Sequence, residues 1–185
     1  MQIIEFLKVF ILGIVQGITE WLPVSSTGHM ILVNQFLPLA GEKSFVDVFM
    51  VVIQFGSILA VVTLYFHKLN PFSPKKDAAE KANTWKLWLK VLIASVPAAI
   101  AGLALDDLID EKLSVPVVIA AALILYGIAF IWMESRKKQP VVNSLQDISY
   151  ARALGIGAFQ MLALIPGTSR SGSTILGATL LGVSR

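Results

Sequence analysis

Three apolar stretches of membrane-spanning length constrain the fold of this chain more than any other feature of its sequence. They occupy residues 45–66, 85–104 and 114–133. A helix that crosses the hydrocarbon core of a bilayer needs about 20 predominantly apolar residues. Hydrophobic residues make up 56% of the 185 residues and charged residues only 15%, against about 45–50% and 25% in soluble domains. The sequence therefore predicts an all-α polytopic membrane protein.

Charge and cysteine content exclude several classes of function. The formal net charge is only +3, and the basic residues cluster in two loops. A nucleic-acid partner is not expected, because such binding requires a continuous basic surface. The chain has no cysteine, which excludes disulfides and thiolate chemistry. The N-terminal apolar run carries Gln16 and Glu20 and lacks a small-residue cleavage site, so we expect it to be retained rather than removed as a signal peptide.

The distribution of lysine and arginine predicts the orientation of the spans. The loops at 67–84 and 134–153 are basic, whereas the loop at 105–113 has four acidic residues and one lysine. Short cytoplasmic loops carry an excess of basic residues. Both basic loops are therefore predicted to be cytoplasmic, and the acidic loop is predicted to lie outside.

A polar segment, residues 20–29, interrupts the apolar N-terminal region. It reads EWLPVSSTGH and follows a helix predicted over residues 3–22. We expect residues 24–29 to break the helix, and the apolar return at 30–40 is too short to cross a bilayer. This order indicates a re-entrant hairpin, which is tolerated where it is buried in protein or lines water. Polar groups at this depth are costly unless they line a cavity or pair with one another.

A second polar segment, residues 166–174, repeats this pattern and reads PGTSRSGST. A shift of 144 positions aligns Gly13 with Gly157, Gln16 with Gln160, Ser25 with Ser169, Gly28 with Gly172, and Ile31-Leu32 with Ile175-Leu176. Three spans separate the copies, so the second hairpin should enter from the opposite face. That arrangement is an inverted-topology repeat, whose broken helices meet near the midplane. We expect the two polar segments to meet and form one phosphate site.

The predicted organisation is a single membrane domain over residues 1–185. Its parts are a first re-entrant hairpin (1–44), three transmembrane helices (45–133), a cytoplasmic loop (134–153) and a second re-entrant hairpin (154–185).

The second polar segment has the chemistry of a phosphate site. Arg170 presents a planar fork that suits phosphate oxygens, and a helix starting near Gly172 would direct backbone N–H groups at an anion. The predicted substrate-binding hydroxyls are those of Ser25, Thr27, Thr168, Ser169, Ser171, Ser173 and Thr174. The alternative is a hydroxyl-rich loop that only caps a broken helix. The cost of an intramembrane arginine favours a function.

The first polar segment offers groups for acid–base chemistry. Glu20 is the candidate for proton transfer or for holding a divalent cation, and Gln16, one turn earlier, could position water or the metal. His29 could act as general base to a serine or as proton donor to a leaving group. Ser25 and Ser26 are candidate nucleophiles if His29 reaches them.

Each of these assignments has a structural alternative. Glu20 could pair with Arg170 for structure alone. His29 could simply be hydrogen-bonded, as a lone histidine often is.

Two long segments resemble the signature motifs of the bacterial undecaprenyl-diphosphate phosphatase family of the bacitracin-resistance type. In the first, GIVQGITEWLPVSSTGHM, Gln16 to Glu20 match an (E/Q)-x-x-x-E pattern that precedes P-V-S-S-T-G-H. The second, LALIPGTSRSGSTI, matches P-G-x-S-R-S-G-x-T, and FVDVFMVVIQFGSILAVV is also similar to the family. Family members continue with further spans after the second hairpin, so this chain is expected to be an N-terminal portion.

The resemblance implies an enzyme of the bacterial cytoplasmic membrane that hydrolyses undecaprenyl diphosphate to undecaprenyl phosphate and inorganic phosphate. This reaction recycles the lipid carrier for peptidoglycan synthesis and confers bacitracin resistance. The resemblance also implies a divalent cation (Mg²⁺ or Ca²⁺), two inverted repeats with re-entrant hairpins, a homodimer, and a site that opens to the extracytoplasmic face.

The family motifs also assign roles to residues. Glu20 and Gln16 would handle metal or water, Ser26 or His29 would act in phosphoryl transfer, and Arg170 would clamp the diphosphate. The sequence leaves open whether the serine, the histidine or an activated water attacks. The competing hypotheses are a polyprenyl-phosphate flippase or transporter, which shares inverted repeats and broken helices, and an inactive fragment.

Overall fold

The structure, a computed structural model, describes residues 2–136 and 139–184, without the side chains of Gln2 and Asp110. Within these ranges the chain is helical apart from its connecting segments and an isolated bridge between Val142 and Val183. The all-α prediction is therefore confirmed. Lys137 and Lys138, which contribute to the predicted orientation, lie outside the described residues, as do the predicted end points at residues 1 and 185.

The described ranges contain the following helices in chain order. They are α1 (Gln2–Glu20), α2 (Ser26–Phe36), α3 (Lys43–Val52), α4 (Gln54–Leu64), α5 (Phe66–Leu69), α6 (Ala78–Leu108), α7 (Pro116–Ser135), α8 (Tyr150–Gln160) and α9 (Arg170–Leu180). A π-helical turn, Ile109–Leu113, follows α6, and a 3₁₀ turn, Met161–Leu164, follows α8.

Three helical segments are long and apolar enough to cross a membrane. They are Lys43–Leu64, which comprises α3 and α4, then Ala78–Leu108 and Pro116–Ser135. Each of these candidate spans coincides with one of the three predicted spans. Large apolar side chains are exposed along all three, as at Leu92 and Ile131. An apolar outer surface of this extent is what contact with a bilayer requires, and the chain is a membrane protein.

Several helices begin or end outside their predicted limits. The predicted limits followed hydropathy, whereas helices begin at capping side chains and can continue into polar segments. α6 begins well before the predicted residue 85, since Asp77 and Glu80 form a reciprocal capping box of 2.7 and 3.0 Å. α8 begins inside the predicted loop 134–153, where the Ser149 side chain caps it. The predicted loop 105–113 is helical or π-helical throughout, up to residue 113.

Packing places both polar segments in the same part of the molecule. α1 contacts α2 and α4, α2 also contacts α7, and α8 packs between α6 and α9. The backbones of α8 and α6 touch at Gly157, where an added Cβ would lie 2.2 Å from the carbonyl oxygen of Ala94. A small buried core of Leu12, Met30 and Leu39 supports the first pair of helices. The segments before α2 and before α9 approach each other at Gly28 and Gly167.

Candidate functional site

The two polar segments begin their helices in the same way. Ser25 caps α2 by accepting a hydrogen bond from the amide of Gly28 at 3.3 Å. Ser169 caps α9 by accepting one from Gly172 at 3.1 Å. Both helices have 11 residues, and the shift of 144 aligns the two caps. The first cap is strained, because Ser25 has φ 68° and ψ 88°, a left-handed conformation that non-glycine residues rarely adopt.

The two segments lie in contact, as the sequence predicts. A Cβ at Gly28 would be 3.3 Å from the Cα of Gly167. A Cβ at Gly172 would be 3.0 Å from the carbonyl oxygen of Pro23 and 2.8 Å from the Tyr126 ring. Glycine at these two positions therefore permits the close approach of the segments.

A cavity of about 300 Å³ lies between the segments. Its lining includes Glu20, Ser26 and Arg170. It also includes five of the predicted substrate-binding residues: Ser25, Thr27, Thr168, Ser169 and Ser171. The structure thus brings an acid, a cation and several hydroxyls from both polar segments to one space, an arrangement that can bind a phosphate group.

Two predicted substrate-binding residues do not line this cavity, because their hydroxyls bond to protein groups. Ser173 is fully buried; its hydroxyl donates to the Ser169 carbonyl at 2.9 Å and accepts from Tyr126 at 2.7 Å. The Thr174 hydroxyl donates to the carbonyls of Arg170 and Ser171. In this structure both residues support the start of α9.

A hydrogen-bond network orients the Glu20 carboxylate. Its Oε2 accepts from the Ser26 hydroxyl and from the Gln16 amide at 3.4 Å. The Gln16 amide oxygen in turn accepts from the Ser57 hydroxyl of α4 at 3.0 Å. Gln16, Ser26 and Ser57 are all buried, whereas Glu20 is exposed. The Glu20 carboxylate therefore lies at the cavity in an orientation that its buried partners set.

Arg170 is the first residue of α9 and is exposed. Considering only the residues that the structure describes, no ion pair joins it to Glu20, so the structure does not support the alternative of a purely structural pair. The amides of Arg170 and Ser171 make no hydrogen bond within the same ranges, whereas the Gly172 amide is bound by the cap. Free N–H groups at a helix N-terminus favour an anion.

His29 faces away from the cavity between the segments. Its Nδ1 is bonded to the Ser25 carbonyl oxygen at 2.8 Å. Its ring borders a second, mainly apolar cavity of about 420 Å³, next to Tyr126 and Phe130 of α7. The structure does not bring His29 into hydrogen-bond contact with the Ser25 or Ser26 hydroxyl. A role of His29 in proton transfer stays a prediction.

The cavity offers few of the oxygen ligands that the expected divalent cation needs. Within the described residues there is no group of three or more His, Asp or Glu side chains that could hold a metal. The cavity contributes one carboxylate, Glu20, and the oxygen of Gln16 is engaged by Ser57. Mg²⁺ commonly binds through one or two carboxylates together with phosphate oxygens of the ligand. The cavity therefore offers one protein ligand, Glu20, and the remaining ligands of a cation here would have to come from a bound phosphate and water.

Two residues that support the site, Ser57 and Tyr126, are not among those predicted from the sequence. Ser57 sets the orientation of Gln16, and Tyr126 ties α7 to the start of α9 through Ser173. The sequence carried a signal for both residues, because each is a hydroxyl inside an apolar span. Ser57 also follows Gln54 by three positions and therefore shares its helix face. Gln54 itself lines the cavity and donates to Thr27 at 3.4 Å.

Comparison with known families agrees with these motifs. The family described as "Bacitracin resistance protein BacA" matches residues 9–185. The chain belongs to the BacA family. That membership confirms the resemblance of the two polar segments to the family's signature motifs.

Close relatives carry the name undecaprenyl-diphosphatase. The protein of Streptococcus thermophilus is 58% identical over 185 residues, which cover 99% of this chain and 64% of the relative. That of Enterococcus faecalis is 59% identical over 180 residues, covering 96% and 65%, and that of Lactiplantibacillus plantarum is 56% identical over 184 residues, covering 98% and 67%. The chain thus spans about two thirds of the length of the curated relatives it matches.

Proposed function

We propose that this BacA-family chain acts as an undecaprenyl-diphosphatase that hydrolyses undecaprenyl diphosphate to undecaprenyl phosphate and inorganic phosphate. One observation carries the proposal: the Glu20–Ser26 pair and Arg170 line a single cavity between the two family motifs. Relatives of 56–59% identity bear the same activity in their names. The reaction would return the lipid carrier to peptidoglycan synthesis and confer bacitracin resistance.

Arg170 and the start of α9 would bind the diphosphate. The guanidinium can pair with two phosphate oxygens at once, and the free amides of Arg170 and Ser171 can bind a third. Hydroxyls of Ser25, Thr27, Thr168, Ser169 and Ser171 border the same cavity. Phosphoryl transfer depends mainly on such positioning and on stabilising charge at the phosphoryl oxygens.

The geometry favours Ser26 as nucleophile and Glu20 as its base. The Ser26 hydroxyl already donates to the Glu20 carboxylate, the relation that nucleophilic catalysis requires. Attack of the Ser26 oxygen on the terminal phosphorus would transfer its proton to Glu20 and expel undecaprenyl phosphate. Water would then release the phosphate from Ser26. Attack by a water that Glu20 activates is the alternative within the same pair, and His29 is less suited because it borders the other cavity.

A divalent cation, Mg²⁺ or Ca²⁺, would bind to Glu20 together with the substrate phosphates. When bound, it would neutralise charge on the phosphoryl oxygens. Gln16 would keep the carboxylate in place through its amide. A direct bond from Gln16 to the cation, which the family motif implies, would require its oxygen to accommodate a further partner besides Ser57.

The proposal includes an inverted repeat with two re-entrant hairpins and a site that opens to the extracytoplasmic face of the cytoplasmic membrane. Two observations support it. The bounds of α2 and α9, Ser26–Phe36 and Arg170–Leu180, differ by the same shift of 144 at both ends. The three candidate spans between the pairs would place the hairpins on opposite faces. A homodimer belongs to the same proposal by family resemblance alone.

The test is release of inorganic phosphate from a prenyl diphosphate by the purified chain in detergent with Mg²⁺ or Ca²⁺. We expect release with the wild type and none with Glu20→Gln of equal thermal stability. Absence of release combined with movement of polyprenyl phosphate across vesicles would indicate a flippase instead. Absence of both, together with failure to restore bacitracin tolerance to a sensitive strain, would indicate an inactive fragment.

A further inference from the structure

Another cavity, of about 500 Å³ and lined mostly by residues with polar side chains, lies beside the first turns of α6. It shares no lining residue with the cavity between the family motifs. Its lining includes one acid, Glu80, and five lysines: Lys68, Lys75, Lys76, Lys86 and Lys90. These lysines come from α5, from the segment that follows it and from α6, so separate parts of the chain direct positive charge to one space.

Two of the lysines build the walls of this basic cavity. The Lys76 ammonium donates to the Lys68 carbonyl at 2.7 Å and to the Thr84 hydroxyl at 2.6 Å. The Lys90 ammonium donates to the carbonyls of Leu145 and Gln146 at 2.9 and 2.8 Å. The walls are therefore held in place by hydrogen bonds between distant segments of the chain, and the cavity is more than a set of lysines extended into water.

The floor of the basic cavity is ordered as well. Ser73 is fully buried, and its hydroxyl lies 3.2 Å from the Nδ1 of His67. The same hydroxyl accepts a hydrogen bond from the amide of Lys75 at 3.4 Å. These contacts hold the segment that carries Lys75 against the end of α5.

Two lysine ammoniums at this cavity have no protein partner. Across residues 2–136 and 139–184, Lys75 and Lys86 make no side-chain hydrogen bond or ion pair. The Glu80 carboxylate accepts from the amide of Asp77 in the cap of α6. Converging like charges are unfavourable unless water or an anion compensates them. The excess positive charge therefore suits an anionic ligand.

The position of the cavity along α6 indicates where that anion comes from. α6 is a candidate membrane span, and Trp85 and Trp88 stand exposed near its start. The Phe72 ring packs edge-on against Trp85 at 5.7 Å, and the Trp88 indole donates to the Leu69 carbonyl at 2.8 Å. Tryptophans at the end of a span mark the headgroup level of the bilayer.

We propose that this basic cavity binds the phosphate headgroup of an anionic membrane phospholipid. The lysines supply compact charges for a phosphate, the cavity of about 500 Å³ is wide enough for a headgroup, and two of its lining residues, Lys86 and Lys90, flank Trp88 along α6. Basic pockets at the ends of transmembrane helices are suited to acidic lipid headgroups. Lys75 and Lys86 contact the phosphate, while Lys76 and Lys90 keep the pocket open.

The test compares lipid binding by two double variants of equal charge. Lys75→Gln/Lys86→Gln removes the two unpaired ammoniums, whereas Lys43→Gln/Lys81→Gln removes two lysines that do not line the cavity. Native mass spectrometry of the purified chain, titrated in detergent with phosphatidylglycerol or phosphatidylcholine, gives the dissociation constants. Two lost charge-assisted hydrogen bonds predict affinity for phosphatidylglycerol about tenfold or more below that of the control.

Three results would overturn this assignment. Equal losses in the two double variants would mean general surface attraction, and equal binding of phosphatidylcholine would mean no selectivity for charge. Competition by inorganic phosphate or glycerol 1-phosphate at the same concentrations as the lipid would assign the cavity to soluble anions. Both lysines of the test variant are exposed, and unchanged thermal unfolding would show that any lost binding is local.

Discussion

Arg170 carries the positive charge that the cavity between the family motifs presents to a ligand. Its guanidinium is exposed and, among the described residues, free of Glu20, so it is available to bind phosphate without first breaking an ion pair. The adjacent free amides add directional donors. Substrate binding and charge stabilisation are therefore expected to depend strongly on this residue.

The variant Arg170→Ala should lower kcat/KM for a prenyl diphosphate by about a hundredfold or more, because a preorganised donor to the phosphoryl oxygens is lost. The kcat/KM of Arg170→Lys should lie between those of the alanine variant and the wild type, since a lysine supplies charge without the planar fork. The measurement is steady-state phosphate release. Normal kinetics in Arg170→Ala would remove Arg170 from the diphosphate-binding role.

Ser57 acts on the same site through a buried amide. Replacing it by alanine leaves the Gln16 oxygen without its partner, and the Glu20 carboxylate loses part of its orientation. We expect Ser57→Ala to lower kcat by about three- to tenfold with little change in KM, the effect of one weak hydrogen bond. Thr63→Val is the matched control, because the Thr63 hydroxyl bonds only carbonyls of its own helix. Equal effects of the two changes would contradict the positioning role.

Glycines set the distances between helices and thereby the shape of the site. At Gly157, an alanine would place its Cβ 2.2 Å from the Ala94 carbonyl of α6. The two helices would have to separate, and α8 and α9 would shift together with the second polar segment. The same substitution at Gly56 of α4 meets no atom within 4 Å.

Gly157→Ala should therefore destabilise the protein by about 1–3 kcal/mol through overpacking, whereas Gly56→Ala should be neutral or stabilise it by about 0.5–1 kcal/mol. Thermal unfolding in detergent measures both. A melting temperature for Gly157→Ala at or above that of Gly56→Ala would show that α6 and α8 do not pack this closely.

Orientation in the membrane is a property of the whole molecule, and the chain lacks cysteine, which makes it easy to measure. Asp107→Cys places a thiol in the last turn of α6, and Ala79→Cys places one in its first turn; both positions are exposed. An impermeant maleimide should label Asp107→Cys in intact cells but label Ala79→Cys only after permeabilisation, as the basic loops require. The reverse pattern would invert the proposed topology and the face to which the site opens.

Cation dependence is also a property of the whole molecule with its substrate, because the protein and the substrate would share the ion. Removal of divalent cations by a chelator should abolish phosphate release, and Mg²⁺ or Ca²⁺ should restore it. Glu20→Asp should need a higher cation concentration for half-maximal activity, since the shorter side chain moves the carboxylate. Full activity in the chelator would exclude a role of the cation in the proposed reaction.

Interactions that act along one helix or turn could be predicted from the sequence. The length and hydropathy of the three spans predicted helices that can cross a bilayer, and the helix expected near Gly172 is α9, which begins at Arg170. The break expected over residues 24–29 is shorter than predicted, because the Ser25 cap starts α2 at Ser26. The capping box at Asp77 was equally visible in the sequence, although hydropathy alone placed the start of α6 too late. The sequence also indicated that placing either polar segment inside a membrane would be costly unless the two segments met.

Only the tertiary structure decided which side chains share a cavity. Periodicity orients a residue relative to its own helix axis, but the neighbour on that side depends on how helices pack. The contact of α1 with α4 brings Ser57 to Gln16, and the contact of α2 with α7 directs His29 into a separate cavity beside Tyr126. The sequence thus predicted a polar site between the two segments with Glu20, Ser26, His29 and Arg170 among its residues. Helix packing decided that Glu20, Ser26 and Arg170 line one cavity while His29 lines another, because the neighbours of a side chain depend on contacts between helices.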